Sequence, residues 1–504
     1  MQDSKKVAVN TLAQYIRTVI NAVLSLITVR WILVILGEED YGIYMVIAGV
    51  TSMLSFITNT LISTTQRYLS FYQGKNDLKS LKQIFATSTI LHLALGILIV
   101  FILVIIEKWV FNSLIIIPED RLDVAYRVYI VIALIIFMTL CAAPFRALLV
   151  AHENIVYVSI IDILDGVLKM VLVLVLQFIS IDKLFAYSII MLLMQVVNLL
   201  AFSFFSFKKY EECVMPSFSY YNKSFLKNMF QYSGWVLYGT ACVVGRSQGV
   251  TILINRFLST VANAAYGLGS QISGVINSVS SSVLNAMRPQ IVKSEGSKNR
   301  DKALNLTTVL CKISYSLMLI VCIPCVFEME GLLVLWLKDV PQYTVLFSQM
   351  AVLCCLVDSM TIALTAMSEA VGNVKGYNLV VSTLKLAAIP FMWFFLKNGQ
   401  GAVSICVIYI ISEIISGFSR VFFVGKTAGL NVAGFFKNVL LREIAPTIIT
   451  IAVCYIISHY MEFNLRFLIT FSASFIVSAV SIYYIGLNKS ERIMVINLIK
   501  GWKN

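Results

Sequence analysis

Charge is what this sequence has least of. Only 13% of its 504 residues are Asp, Glu, Lys or Arg, about half the share of an ordinary soluble domain, and no polar stretch is long enough to fold such a domain. Histidine is scarce: His92, His152 and His459 stand far apart without metal-ligand spacing, so no metal centre or cofactor is expected. The ten cysteines are scattered, nearly all in apolar runs. Cys322 and Cys325 form a CxxC around Pro324, but the βαβ context of a redox motif is missing, and packing of free thiols is the simpler reading. Despite a net charge of +13, no basic tail and no basic region interleaved with aromatics offers a nucleic-acid footprint. No cleavable signal pattern opens the chain, so the first apolar segment reads as an uncleaved anchor. No paired acid/base motif, nucleotide-binding pattern or large outer loop is present, and no catalytic residues are expected.

Hydrophobic residues make up 59%, with a mean hydropathy of +0.86. Apolar runs of about 20 residues, each long enough to cross a bilayer, recur from end to end. The expected class is all-α and polytopic; a barrel would show alternating segments of about 10 residues. About fourteen transmembrane helices are read at 8–36, 41–66, 84–107, 124–150, 156–179, 184–206, 230–257, 262–287, 304–327, 344–369, 377–396, 401–424, 444–461 and 465–487. Basic residues gather in the loops around Lys75, Lys208, Lys293 and Lys437 and in the tail, all on the side of the N-terminus. Both termini are therefore expected in the cytoplasm.

Features recur after about 220 residues. Arg30 precedes Tyr41-Gly42, and Arg256 precedes Tyr266-Gly267. Arg67, Gly74, Lys75 and Asn76 match Arg288, Gly296, Lys298 and Asn299. Asn154 and Tyr157 match Asn373 and Tyr377. An offset of six helices preserves direction, so two parallel six-helix repeats are expected around a central cavity, with substrate at their interface. The division is a lobe at 1–206, a cytoplasmic linker at 207–229, a second lobe at 230–424, and two additional helices with a tail at 425–504.

Polar residues within the spans are the candidate site. Asn10, Gln14, Arg17, Asn21, Ser25 and Thr28 share one stripe of the first helix. A guanidinium near the bilayer centre costs several kcal/mol, roughly, so that stripe is expected to face a polar interior. Arg246 falls near the equivalent position of the second repeat. Two such arginines suit a diphosphate, because the planar fork gives paired, charge-assisted bonds. The alternative is that each caps a helix or pairs with an internal carboxylate. Arg30 and Arg256 either bind substrate or snorkel from the outer helix ends. Asn21, Gln271 and Asn277 suit sugar hydroxyls, or helix packing. Asp162, Asp165 and Lys169 align on one face, forming either an ion-coupling site or a self-neutralising lock. Asp358 and Glu413 are lone carboxylates in apolar runs that either bind a coupling ion or pair with an arginine.

The turn Leu36-Gly-Glu-Glu-Asp-Tyr-Gly-Ile-Tyr44 resembles the signature after the first helix of bacterial polysaccharide exporters, and Arg288-Pro-Gln, Gly296-Ser-Lys-Asn299 and the repeat agree with it. The chain resembles an oligosaccharide flippase of the multidrug, oligosaccharidyl-lipid and polysaccharide exporter superfamily. The resemblance implies two six-helix lobes and a multi-pass protein of the bacterial inner membrane. Its activity would be moving undecaprenyl-diphosphate-linked oligosaccharides from the cytoplasmic to the outer leaflet. The implied partners are that lipid-linked substrate, membrane lipids, a coupling proton or sodium ion, and a polysaccharide polymerase. The resemblance would place Arg17 and Arg246 on the diphosphate or on acidic sugars. Two rival readings are a cation-coupled multidrug antiporter of the same fold and a polytopic glycosyltransferase or polymerase.

Overall fold

The fold was described from a computed structural model, which covers residues 2–37, 40–41, 43–44, 47–48, 55–114, 117–215, 220–337, 340–461, 466–488 and 491–492. These residues are almost entirely helical, and none forms a strand. The long helices are α1 (Gln2–Leu36), α2 (Ser55–Gly74), α3 (Leu78–Trp109), α4 (Leu122–Ala151), α5 (Ile155–Leu176), α6 (Lys183–Lys209), α7 (Lys223–Phe257), α8 (Thr260–Gly296) and α9 (Arg300–Phe327). Next comes α10, a bent pair of Thr344–Ser359 and Ala363–Val371 at 46°, followed by α11 (Val374–Lys397), α12 (Ala402–Ala428), α13 (Val432–Tyr460) and α14 (Arg466–Gly486).

Among the described residues, eight helices are long and apolar enough to cross a bilayer, or nine with the bent pair taken as one span. Helix α5 misses that measure because it carries Asp162, Asp165 and Lys169. The protein is a multi-pass membrane protein, and its surface is consistent with that. On α1 the exposed large apolar side chains are Val9, Leu12, Ile16, Val19, Val23, Ile27, Trp31 and Val34. An apolar stripe of that length is unsuited to water and suited to lipid.

Several helices run past the ends that hydropathy suggests. Helix α2 continues to Gly74, α8 to Gly296, and α7 begins at Lys223. Hydropathy detects only the part immersed in lipid. The amphipathic turns beyond it keep their i to i−4 hydrogen bonds in water and stay helical. Helix α6 likewise reaches Lys209, so helix enters the expected linker at 207–229 from both sides.

The repeat is visible in the turns. Asn76 and Lys298 both adopt left-handed backbone conformations (φ 54° and 61°). Each is followed by a capping residue: Asp77 accepts from the Ser80 N–H and Asn299 from the Lys302 N–H. Glu153 and Gly372 are also left-handed (φ 59° and 89°) and precede the N-caps Asn154 and Asn373. Matching turns direct matching helices.

The chain divides into two compact units, residues 8–237 and residues 238–504 with 1–7. The division falls inside the continuous helix α7 rather than in a linker. In the first unit, Ile35, Leu103, Val128, Tyr129, Val173 and Tyr187 pack into a core drawn from α1, α3, α4, α5 and α6. In the second, Val250, Ala265, Phe347, Met392 and Ile405 join α7, α8, α10, α11 and α12. Cys322 is buried beside Met318, Val352 and Cys454, and all ten cysteines are free thiols. Helices α13 and α14 pack on each other and on α9. Their contact uses a stripe of small residues on α14, Thr470, Ser474, Ser478 and Ser481, all buried. Such residues let membrane helices approach closely, and the Thr450 and Ser478 hydroxyls bond at 2.9 Å.

Candidate functional site

Each unit holds a network of ionised side chains within its helices. In the first, Arg17 on α1 donates to Asp162 Oδ2 on α5 at 2.8 Å. Arg146 on α4 grips the same carboxylate at both oxygens, at 2.8 and 2.7 Å. One helical turn on, Asp165 pairs with Lys169 at 2.6 Å and accepts from Asn198 of α6 at 2.9 Å. Three cations therefore meet two carboxylates, leaving one positive charge.

The polar stripe of α1 thus turns into its own unit. Asn10 and Gln14 are buried, and the Asn10 amide donates to the Glu153 carbonyl at 2.9 Å. Asn21 lies against Gly166 of α5, where a Cβ would come within 3.0 Å of its amide oxygen. Arg17 and Asn21 of the stripe lie against helix α5, where a carboxylate neutralises the guanidinium locally, while Ser25 is exposed.

The second unit also holds such a network, with Arg246 on α7 in the place of Arg17 on α1 but with its carboxylates on α10 and α12. Arg246 on α7 bonds to Glu413 of α12 at 2.6 Å and to the Ser412 hydroxyl at 3.2 Å. Its guanidinium lies 4.1 Å from the centre of the Tyr409 ring, a cation–π contact that partly replaces lost hydration. Lys385 on α11 bridges Glu413 at 2.7 Å and Asp358 at 3.2 Å. Arg420 on α12 closes the chain, at 2.8 Å from Asp358 and 3.2 Å from the Thr361 hydroxyl. Asp358 lies just before the break in α10 and Thr361 within it, where backbone polar groups must find partners outside a regular helix. Again three cations meet two carboxylates.

The separate sequence candidates are therefore members of shared networks: Arg17 with Asp162, and Arg246 with Glu413 and Asp358. Arg256 is exposed in the last turn of α7. Gln271 and Asn277 are exposed on one face of α8, along with Gly274, Ser281 and Asn285. The side chain of Arg30 lies outside the described residues. Sequence reasoning does not single out Arg146, Lys385 and Arg420. Each is a cation inside a membrane-length helix, and the rule that flags intramembrane charge applies to all three. Among the described residues, no three His, Cys, Asp or Glu side chains come together as a metal site.

Two further ion-pair sets position these helices. Arg121 holds both Asp40, in the turn after α1, and Asp182, the N-cap of α6, the latter at 2.8 Å. Arg288 of α8 forms a two-pronged pair with Glu369 of α10. Both fall in motifs that stand out in the sequence, and both join helix ends.

Residues 4–295 match the model of a family described as polysaccharide biosynthesis protein. The chain belongs to the polysaccharide biosynthesis protein family. No curated protein matches it in sequence. Solved structures match its fold closely. A MATE in the bent conformation is 13% identical with a TM-score of 0.75, covering 87% of this chain and 98% of that one. An outward-facing multidrug resistance MATE family transporter of the MOP superfamily is 14% identical with a TM-score of 0.72, covering 86% and 97%. A MOP superfamily transporter from Pyrococcus furiosus is 15% identical with a TM-score of 0.70, covering 86% and 96%. This polysaccharide biosynthesis family member thus has the fold of the MATE and MOP superfamily transporters, and its paired ionic networks sit on that fold.

Proposed function

We propose that the protein is a flippase that carries undecaprenyl-diphosphate-linked oligosaccharides from the cytoplasmic to the outer leaflet, by alternating access, for surface polysaccharide synthesis. The observation that carries this reading is the excess of cations over carboxylates in both intramembrane networks. A diphosphate head moved past about 30 Å of hydrocarbon needs positive charge along its way, while the isoprenoid tail stays in lipid. The exposed amides and hydroxyls of α8 suit a hydrated glycan. The neighbour from Pyrococcus furiosus is described as having a binding pocket of reversed polarity that suggests a different function; a cation excess in this chain would fit the same logic. In this reading the membrane is the bacterial inner membrane, both termini are cytoplasmic, and a polymerase receives the product. Asp162, Asp358 and Glu413 hold the arginines, Asp165 holds Lys169, and these carboxylates take up any coupling proton or sodium ion. The protein does not act as an enzyme.

The test is leaflet translocation of an undecaprenyl-diphosphate oligosaccharide in proteoliposomes, with wild type and with the Arg17→Ala, Arg246→Ala double variant. Translocation by wild type that disappears in a folded double variant supports the proposal. Efflux of an organic cation, without movement of any lipid-linked sugar, replaces it with the cation-coupled antiporter. Turnover of a lipid-linked sugar by the purified protein replaces it with a membrane glycosyltransferase or polymerase.

A further inference from the structure

The two networks differ in access. In the second unit the side chains of Arg246 and Glu413 are each 4% exposed, Lys385 and Arg420 are nearly as enclosed, and only Asp358, at 25%, is open. In the first unit Arg17, Asp162 and Arg146 keep 24%, 19% and 32% exposure. Ionised groups that stay partly open within a membrane unit need water or a polar ligand at the opening.

The shape of the open trio suggests the ligand. The Asp162 carboxylate offers two oxygens, and two guanidiniums point three N–H groups at them within 2.8 Å. A phosphate presents the same kind of planar pair of charged oxygens to an arginine fork. The trio keeps one positive charge after Asp162 is counted. Asp165 does not cancel it, being held by Lys169 and Asn198.

We propose that Asp162 is a built-in stand-in for the substrate phosphate. An entering phosphate-bearing anion takes Arg17 and Arg146 over from Asp162, and Asp162 takes them back when the anion leaves. The identity of the anion's carrier rests on the flippase reading; the exchange rests only on the geometry of the trio. The device answers a physical problem. A carrier must return empty, and two bare guanidiniums in a low-dielectric interior are strongly unfavourable. With Asp162 between them the empty unit is largely self-compensated. With a phosphate between them, the loaded unit is compensated by its cargo.

Asp162 should therefore weaken anion binding and speed turnover. The experiment is calorimetric titration of the full chain in nanodiscs with inorganic pyrophosphate and with farnesyl diphosphate, beside translocation in proteoliposomes. Asp162→Asn should bind pyrophosphate about tenfold more tightly than wild type and translocate more slowly. Arg146→Gln should bind it about tenfold more weakly. Farnesyl diphosphate gaining further affinity points to a lipid-borne phosphate, whereas equal affinity points to the phosphate alone; the same tightening by Asp162→Asn in either case supports the exchange. A folded Asp162→Asn protein that binds pyrophosphate no more tightly than wild type overturns the proposal. Should that variant not fold, wild-type affinity in Arg146→Gln overturns it equally. Tightened binding without translocation of any lipid-linked sugar by wild type sinks the flippase reading and leaves the exchange standing. Translocation by wild type without tightening does the reverse.

Discussion

Glu413 holds Arg246 and Lys385 at once, in surroundings that leave it 4% exposed. Replacing it by Gln strands the buried Arg246 and leaves Lys385 with Asp358 alone, and breaking a buried pair in this way costs about 3–5 kcal/mol. Asp162 also holds two cations, but all three partners reach solvent. Screening there reduces the loss, and Asp162→Asn should cost about 1–2 kcal/mol. Thermal unfolding in detergent should rank Glu413→Gln well below Asp162→Asn; equal losses would contradict the difference in enclosure. A second residue-scale prediction lies outside the membrane. Burial works to raise the Glu212 carboxyl, but the hydrogen bond from His152, at 2.5 Å, and the attraction of its ring charge outweigh it and hold the carboxyl below its ordinary 4.5. In the window just below 4.5 the unfolded chain binds the proton more readily than the folded one, so stability rises with pH there. The contribution is complete above 4.5 and disappears as pH falls through the lowered value. His152→Gln should flatten the acid limb of a melting-temperature profile; an unchanged limb would show that the pair contributes nothing.

At the scale of elements, the second unit depends on helices that nearly touch. A Cβ built on Gly269 of α8 would lie 3.0 Å from the Phe347 carbonyl oxygen of α10, a backbone atom that cannot rotate away. Two residues earlier, Gly267 has nothing within 4 Å of the same position. Gly269→Ala should push α8 and α10 apart at a cost of about 1–3 kcal/mol. Gly267→Ala should be neutral or stabilising by up to about 1 kcal/mol, since alanine loses less chain entropy in a helix. Unfolding midpoints of the two variants decide the matter, and similar values would mean that the helices part freely. The break in α10 belongs to the same scale: it places Asp358 and Thr361 where Arg420 and Lys385 reach them.

At the scale of the whole molecule, topology is the property most open to direct test. Lys75, Lys298 and Lys426 are exposed in or beside basic loops, and Asp120 is exposed in an acidic one. The positive-inside rule assigns the first three to the cytoplasm. Cysteines introduced at Lys75, Lys298 and Lys426 should react with a membrane-impermeant maleimide only after permeabilisation, and one at Asp120 without it. Eight of the ten native thiols are buried and give a low background. Labelling at positions 75 and 298 from opposite sides would break the parallel repeat.

The membrane class, the all-α fold and the repeat are legible in the sequence, because they rest on local quantities. Apolar run length answers to bilayer thickness, and the recurring Lys75-Asn76 with Lys298-Asn299 and Asn154 with Asn373 fall at matching turns, although the left-handed residue opposite Asn76 is Lys298 rather than Asn299. Helical spacing by itself likewise puts Asp162, Asp165 and Lys169 on one face. Which charge meets which is not legible. Arg17 and Asp162 are 145 positions apart, and Arg246 and Glu413 are 167 apart; only packing brings them together. The same packing recruits Arg146, Lys385 and Arg420, and it leaves the arginines of the first network partly open while enclosing those of the second. Sequence alone therefore determined how many charges the membrane interior must hold and on which helices. Tertiary structure alone decided their partners, because Coulomb energy in a low-dielectric interior depends on distances of a few ångströms that no one helix contains.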